Sequence, residues 1–305
     1  MSAQARVLVI RLSALGDFVQ SMGPFAAIRK HHPDARITLL TTKPFVALAK
    51  ASPYFDEVWT DHRPKPWDVP GMLRLRKMLR SAKFQMVYDL QTSERSTRYF
   101  HLVQAGTPWS GIAANASHPH DNPDRNLMHT IDRQADQLRM AGIAETLPPD
   151  LSWVQRDLRK FHLPQKFALL VPGGAAHRAG KRWPAENYAE IARRLGEAGI
   201  ASVLIGTEAD KDAADKVLAG SKTAMSLLDH TDILDIPAIA RLAWAALGND
   251  TGPMHLAAAA GCRSVVLFSG ESDPDLCAPR GRVVILRKPD LAELGVDEVW
   301  SAITT

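Results

Sequence analysis

Three short stretches of this 305-residue chain combine residues that could hold an anion or move a proton. The first is GNDTGPMHLAAAAG, residues 248–261. A turn-forming cluster, Asn249-Asp250-Thr251-Gly252, opens there into an alanine-rich helical pattern, with Pro253 at the expected first helical position. Thr251 or Asp250 could cap that helix, which Gly261 would end. The same turn could seat a phosphate, because free N–H groups and the helix dipole both point at the anion. The second stretch is PGGAAHRAGKRWP, residues 172–184. Adjacent cations in a glycine-rich turn suit a pyrophosphate, with Lys181 as a point charge and backbone N–H groups filling the remaining contacts; a solvated basic loop is the alternative. The stretch lacks the GKS or GKT ending of a P-loop, which argues against an ATPase. In the third, Ser13-Ala14-Leu15-Gly16-Asp17, a carboxylate falls at a helix start just after an apolar run. Asp17 there is either a general base in an inter-domain cleft or a charge stabilised by the helix dipole. No GxGxxG follows, so a nicotinamide site lacks its main support. Glu208, after the apolar residues 202–205, could accept a hydrogen bond from a ribose or sugar hydroxyl or cap the next helix.

A fourth feature is cationic. Arg74, Arg76, Lys77, Arg80 and Lys83 lie close together with no acid between Val69 and Tyr88, and Met72, Leu73, Leu75 and Leu79 add apolar area. Such a basic amphipathic helix could lie on an anionic lipid surface, hold a phosphorylated acceptor, or be a solvated face. His118, His120 and His129 lack zincin spacing and read as polar loop residues, not metal ligands. Cys262 and Cys277 make neither a disulfide framework nor a metal pair, which favours a reducing cytoplasm.

These groups need a scaffold, and the apolar rhythm supplies one. Runs at residues 6–11, 37–40, 57–60 and 86–90 read as strands, alternating with helical spacing at 18–31, 45–51 and 72–83. Pro24 disturbs the first of these helices. Residues 111–126, rich in Asn, His, Pro and Asp, read as a long loop, and helical spacing resumes at 131–140. Leu147-Pro148-Pro149-Asp150 is a stiff connection. Beyond it, strands are expected at 167–171, 202–205, 225–228, 242–247, 264–268 and 282–286, with helices at 187–198, 210–218, 236–242, 253–260 and 296–303. The result is an α/β chain of two doubly wound halves, 1–148 and 149–305. A hydrophobic fraction of 46% and a charged fraction of 23% fit a soluble globular protein. No apolar run reaches the roughly 18 residues needed to span a bilayer, and the first residues lack a signal-peptide layout. The net charge of +4 favours an anionic partner.

Taken together, these motifs resemble glycosyltransferase family 9, the bacterial heptosyltransferases of the lipopolysaccharide inner core. RLSALGDFVQSMGPFAAIRKHHPDARITLL resembles the family's opening strand, its Ser-x-x-Gly-Asp turn and its Pro-containing helix. PGGAAHRAGKRWPAENYAEIARRL and GNDTGPMHLAAAAG resemble its two nucleotide-sugar motifs, Asp-Thr-Gly-Pro-x-His-x-Ala being the most specific pattern. The resemblance implies a GT-B architecture, with two Rossmann-like domains facing each other across a cleft. Residues 1–148 would bind the acceptor and residues 149–305 the nucleotide sugar. It implies transfer of heptose from ADP-heptose to a Kdo- or heptose-bearing lipid A core, inverting the anomeric centre, with Asp17 as general base. Ser13 and Gly16 would shape the turn under the sugar. Lys181, Glu208, Asp250, Thr251, Gly252 and His255 would line the donor site, and Arg74, Arg76, Lys77 and Arg80 are candidates for the acceptor. No metal, cofactor or nucleic acid is expected, and a monomer in the cytoplasm, peripheral at the inner membrane, fits. The chain departs from the family pattern in Phe18, where a smaller aliphatic is usual. It departs also in Ala175-Ala176-His177, which lacks a Ser or Thr, and in its short segment after Gly281. The alternatives are the same fold with another nucleotide-sugar donor, or a non-catalytic nucleotide-sugar or glycan-binding protein.

Overall fold

Buried, largely apolar runs form the centres of two parallel sheets in the computed structural model of the chain, which describes residues 4–174 and 179–305. The contacts divide into two units, Met1–Pro148 and Pro149–Thr305. In the first, β1 (Arg6–Ile10), β2 (Arg36–Thr41), β3 (Glu57–Thr60), β4 (Met86–Asp89), β5 (Trp109–Gly111) and β6 (His118–Pro119) line up in the order β3-β2-β1-β4-β5-β6. In the second, β7 (Phe167–Val171), β8 (Ala201–Leu204), β9 (Ala224–Ser226), β10 (Ala245–Asn249), β11 (Ser264–Phe268) and β12 (Val283–Arg287) follow β12-β11-β10-β7-β8-β9. Counted from each unit's own first strand, both sheets have the Rossmann order, which reverses direction between the first and fourth strands.

Alternation of side chains explains why these strands look continuously apolar. Ala168 and Leu170 of β7 pack on one face with Ala245, Leu247, Val265 and Leu267. Phe167, Leu169 and Val171 pack on the other with Ala246, Val266 and Phe268. Successive residues point to opposite faces, and helices cover both, so every position is apolar. The closing helix, Val296–Thr304, adds Val299 and Ile303 to the first of these two cores.

Several elements differ from expectation. The helix expected at 18–31 is two helices, Leu15–Gln20 and Met22–His31, joined at Ser21. Pro24 sits in the first turn of the second, where its missing N–H has no intrahelical partner to lose. Residues 111–126 are not loop throughout, because the two-residue β6 pairs with β5 there. Leu242 ends the helix Asp235–Leu242, and the strand expected at 242–247 starts only at Ala245. The helix Glu94–Tyr99 has no counterpart in the apolar spacing; its sequence, ERSTRY, lacks an apolar stripe, and it is started by Ser93, whose hydroxyl accepts from Ser96 N–H.

Candidate active site

Both sheets place their candidate groups at the carboxyl ends of the strand pair where the order reverses, β1 with β4 and β7 with β10. That crevice is where open α/β sheets bind ligands.

In the first unit, β1 runs on into Arg11, whose side chain is only 4% exposed. Its Nη1 donates to the carbonyl of Leu90 just beyond β4 (2.5 Å), and its Nη2 lies 3.5 Å from Asp17 Oδ1. Gln91 Oε1 accepts from the N–H groups of Leu12 and Ser13 (2.7 and 3.0 Å), tying the turn after β1 to the turn after β4. Asp17 lies in the first turn of the helix Leu15–Gln20, and its Oδ2 accepts from Ala14 N–H at 3.2 Å. With 39% of its side chain exposed, Asp17 is reachable while it rests on a buried cation. Gly16 is a helical residue, so the turn between β1 and that helix consists of residues 11–14, with Ser13 in it. Below this turn Asp89 is fully buried, its Oδ1 accepting from the N–H groups of Gln91 and Thr92 at 3.1 Å each. Burial pushes its carboxyl up to about 7, against the pull of those N–H groups, the Ser96 hydroxyl and the Arg11 guanidinium.

In the second unit, Asn249 ends β10 with no exposed surface and satisfies all four of its side-chain bonds. Nδ2 donates to the carbonyls of Pro172 and Gly173 (2.9 and 3.0 Å); Oδ1 accepts from Trp183 N–H and Tyr188 O–H, both at 3.0 Å. One amide thus ties the start of the glycine-rich loop, at Pro172 and Gly173, to Trp183. The Ala175-Ala176-His177 segment lies outside the described residues. Lys181 Nζ pairs with Asp250 Oδ2 at 2.7 Å, and Ser272 Oγ donates to the same oxygen at 2.8 Å. His255, nearly buried, points Nε2 at Asp250 Oδ1 from 3.8 Å. Burial pushes the Asp250 carboxyl up, but His255, Lys181 and Ser272 outweigh it and bring it down to about 2.

The helix Gly252–Ala259 starts at Thr251, but no side chain caps it. The Thr251 hydroxyl donates to the Asn249 carbonyl (3.1 Å), and Asp250 is engaged with Lys181 and Ser272, so neither acts as the side-chain cap. Gly248 allows this helix to lie close: a Cβ there would meet Met254 Sδ and Val171 Cβ at 2.7 Å. Glu208 is exposed beside Lys211, 3.5 Å away. The carboxylate that faces the glycine loop is Asp210, against which Gly173 and Gly206 are pressed. It accepts from Thr207 N–H at 3.1 Å, with Arg182 Nη2 at 3.4 Å.

Arg74, Arg76, Lys77 and Arg80 project from the helix Val69–Ser81, all exposed, while Leu75 and Leu79 bury its inner side. The histidines have structural partners. His118 meets Ser117 Oγ, His120 is buried on Asp136 (3.1 Å), and His129 caps the helix Thr130–Met140 by accepting from Ile131 N–H. Among the described residues no three His, Cys, Asp or Glu side chains are grouped to hold a metal ion, and no helix is long and apolar enough to cross a membrane.

Arg11, Gln91, Asp89, Asp210 and Ser272 join these sites without having stood out in the sequence, and Asn249, expected in a turn, is instead the last residue of β10. Arg11 left one signal, a cation closing an otherwise apolar strand; Asn249 left another, an amide inside a buried run.

The sequence profile of glycosyltransferase family 9 (heptosyltransferase) matches residues 72–290, more than two thirds of the chain. The chain belongs to glycosyltransferase family 9. It is a glycosyltransferase, and its two sheets are those of the GT-B fold. Lipopolysaccharide heptosyltransferase 2 of Escherichia coli K12 is 26% identical, over 94% of this chain and 92% of its own length. A family 9 glycosyltransferase from Veillonella parvula superposes with a TM-score of 0.85 at 20% identity, covering 100% of this chain and 97% of that one. An E. coli heptosyltransferase crystallised with ADP-2-deoxy-2-fluoro heptose gives 0.80 at 18% identity, covering 98% and 99%. The family profile takes in the second unit's loop and helix; Asp17 precedes it.

Proposed function

We propose that this enzyme transfers heptose from ADP-heptose to a lipopolysaccharide inner-core acceptor, on the cytoplasmic side of the membrane that carries it, with no metal or cofactor. The acceptor hydroxyl attacks the anomeric carbon, the bond to the diphosphate breaks, ADP leaves, and the configuration inverts in one displacement. Asp17 takes the hydroxyl proton. The observation that carries this reading is Asp17 itself. A half-exposed carboxylate stands over a buried guanidinium, at the point of the first sheet where a ligand is expected.

The second unit, 149–305, takes the donor. The uncapped start of the helix Gly252–Ala259 offers the N–H groups of Thr251 and Gly252 to the diphosphate. Lys181 adds its charge, oriented by Asp250, which His255 and Ser272 hold in turn. Glu208, exposed beside Lys211, turns to a ribose hydroxyl. The first unit, 1–148, takes the acceptor, with Ser13 beside Asp17 and with Arg74, Arg76, Lys77 and Arg80 meeting the phosphates and carboxylates of the core sugars.

Calorimetric titration with ADP, UDP and GDP, in the presence of a chelator and then of Mg²⁺, tests the donor half. Preference for ADP without metal is expected, followed by heptosyl transfer to deacylated core oligosaccharide. Preference for UDP or GDP would replace the donor, and binding of none of the three would overturn the reading.

A further inference from the structure

The helix Val69–Ser81 carries more than a row of cations. Gly71, Leu75 and Leu79 recur every four residues and are buried in the first unit. At about 100° per residue, Val69, Leu73, Arg76, Lys77 and Arg80 fall within an arc of roughly 100° on the opposite side. Val69 is 59% exposed and Leu73 57%; Trp67, two residues ahead of the helix, is 74% exposed, and Lys65 Nζ lies 5.2 Å from the centre of its ring. The outward face is therefore graded along its length, apolar at the amino end and cationic at the carboxyl end. No carboxylate is paired with Arg74, Arg76, Lys77 or Arg80 among the described residues, and Asp68 is occupied in capping the helix through Gly71 N–H at 3.0 Å.

We propose that this face docks the enzyme on an anionic phospholipid surface, with Trp67, Val69 and Leu73 entering the headgroup boundary and Arg76, Lys77 and Arg80 meeting lipid phosphates. An exposed indole beside exposed aliphatics is costly in water and suited to the boundary between headgroup and acyl chain. Cations one to two turns further along then sit at phosphate level, each strengthening binding by about fivefold on a negatively charged leaflet. A solvated face would have no need of the three apolar groups, and a site for soluble sugar phosphates would not place them beside the cations. The proposal deepens the reading of a membrane-borne acceptor and shares with it Arg76, Lys77 and Arg80, which meet phosphates of the acceptor and of the lipid around it; docking is measured without turnover.

The test is co-sedimentation of the full chain with vesicles of phosphatidylglycerol and phosphatidylethanolamine, against vesicles of phosphatidylcholine alone. Binding to the anionic vesicles is expected, weakened by salt. The triple variant Trp67→Ser, Val69→Ser, Leu73→Ser should lose it by about tenfold or more, with an unchanged melting temperature and unchanged turnover of a soluble deacylated acceptor. Equal binding by the variant, or equal binding to both vesicle types, overturns the proposal. So does salt-insensitive self-association that the variant abolishes, which would make the face a contact between copies. Absence of heptosyl transfer alongside intact vesicle binding would instead count against the proposed reaction alone.

Discussion

A carboxylate that is to accept a proton must be reachable and must not be locked in an ion pair, and Asp17 meets both conditions. Its contact with Arg11 is 3.5 Å, longer than a direct charge-assisted hydrogen bond. Asp17→Asn should lower kcat by roughly 10²–10⁴-fold while ADP affinity stays the same; a variant with full turnover would remove the base assignment. Asp89 gives a prediction of opposite character to that of an ion-paired carboxylate. Its carboxyl goes from an ordinary 3.8 up to about 7 on folding, so over that interval the folded chain holds a proton that the unfolded chain has lost. Stability contributed by the protonated group is complete below about pH 4 and is lost as pH rises through about 7. Asp89→Asn keeps an acceptor for Gln91 and Thr92 N–H, so chemical denaturation should show a shallower fall of stability between pH 4 and 7 than in the unaltered chain. Asp250 runs the other way: held near 2, it supports the fold above about pH 4 and ceases to as pH falls toward 2. Neither sign was legible in sequence, because both depend on neighbours brought in from distant strands.

At the scale of elements, the close approach of the helix Gly252–Ala259 to β10 and β7 is the most demanding fit at the proposed donor site. Met254 could swing away from a new methyl at Gly248, but Val171 Cβ belongs to the neighbouring strand and cannot. Gly248→Ala should therefore cost about 1–3 kcal/mol, seen as a lower urea midpoint with an unchanged slope. An unchanged midpoint would show that the strands shift at no cost. The longer strands and amphipathic helices were readable because burial on both faces, or on one stripe, leaves a period in the sequence. β5 and β6, three and two residues long, are too short to show a period. The helix Glu94–Tyr99 is specified by its capping serine rather than by apolar spacing. The breaks after β1, β7 and β10 could be found from sequence, though Gly16, Asp17 and Gly252 are already helical and Asn249 still belongs to its strand. Which side chains pair inside them could not, and so Lys181 looked like a free cation where Asp250 holds it.

At the scale of the whole chain, two mostly parallel sheets were implicit in the alternation of runs, since a crossover between parallel strands usually carries a helix. Which runs become neighbours was not, because a sequence does not mark where the order reverses. That reversal has a consequence for how the protein is made. In each unit the central pairing waits for a distant partner: Val7 for Met86, Ala168 for Ala245. Neither sheet can begin at its middle until more than half of its segment has been synthesised, and contacts of such separation are slow to form. Yet each segment is continuous, so the first sheet has all its strands before the second has any. Synthesis from the amino end therefore separates in time two sheets of the same strand order, and keeps a strand of one from being offered to the other while both are unfinished.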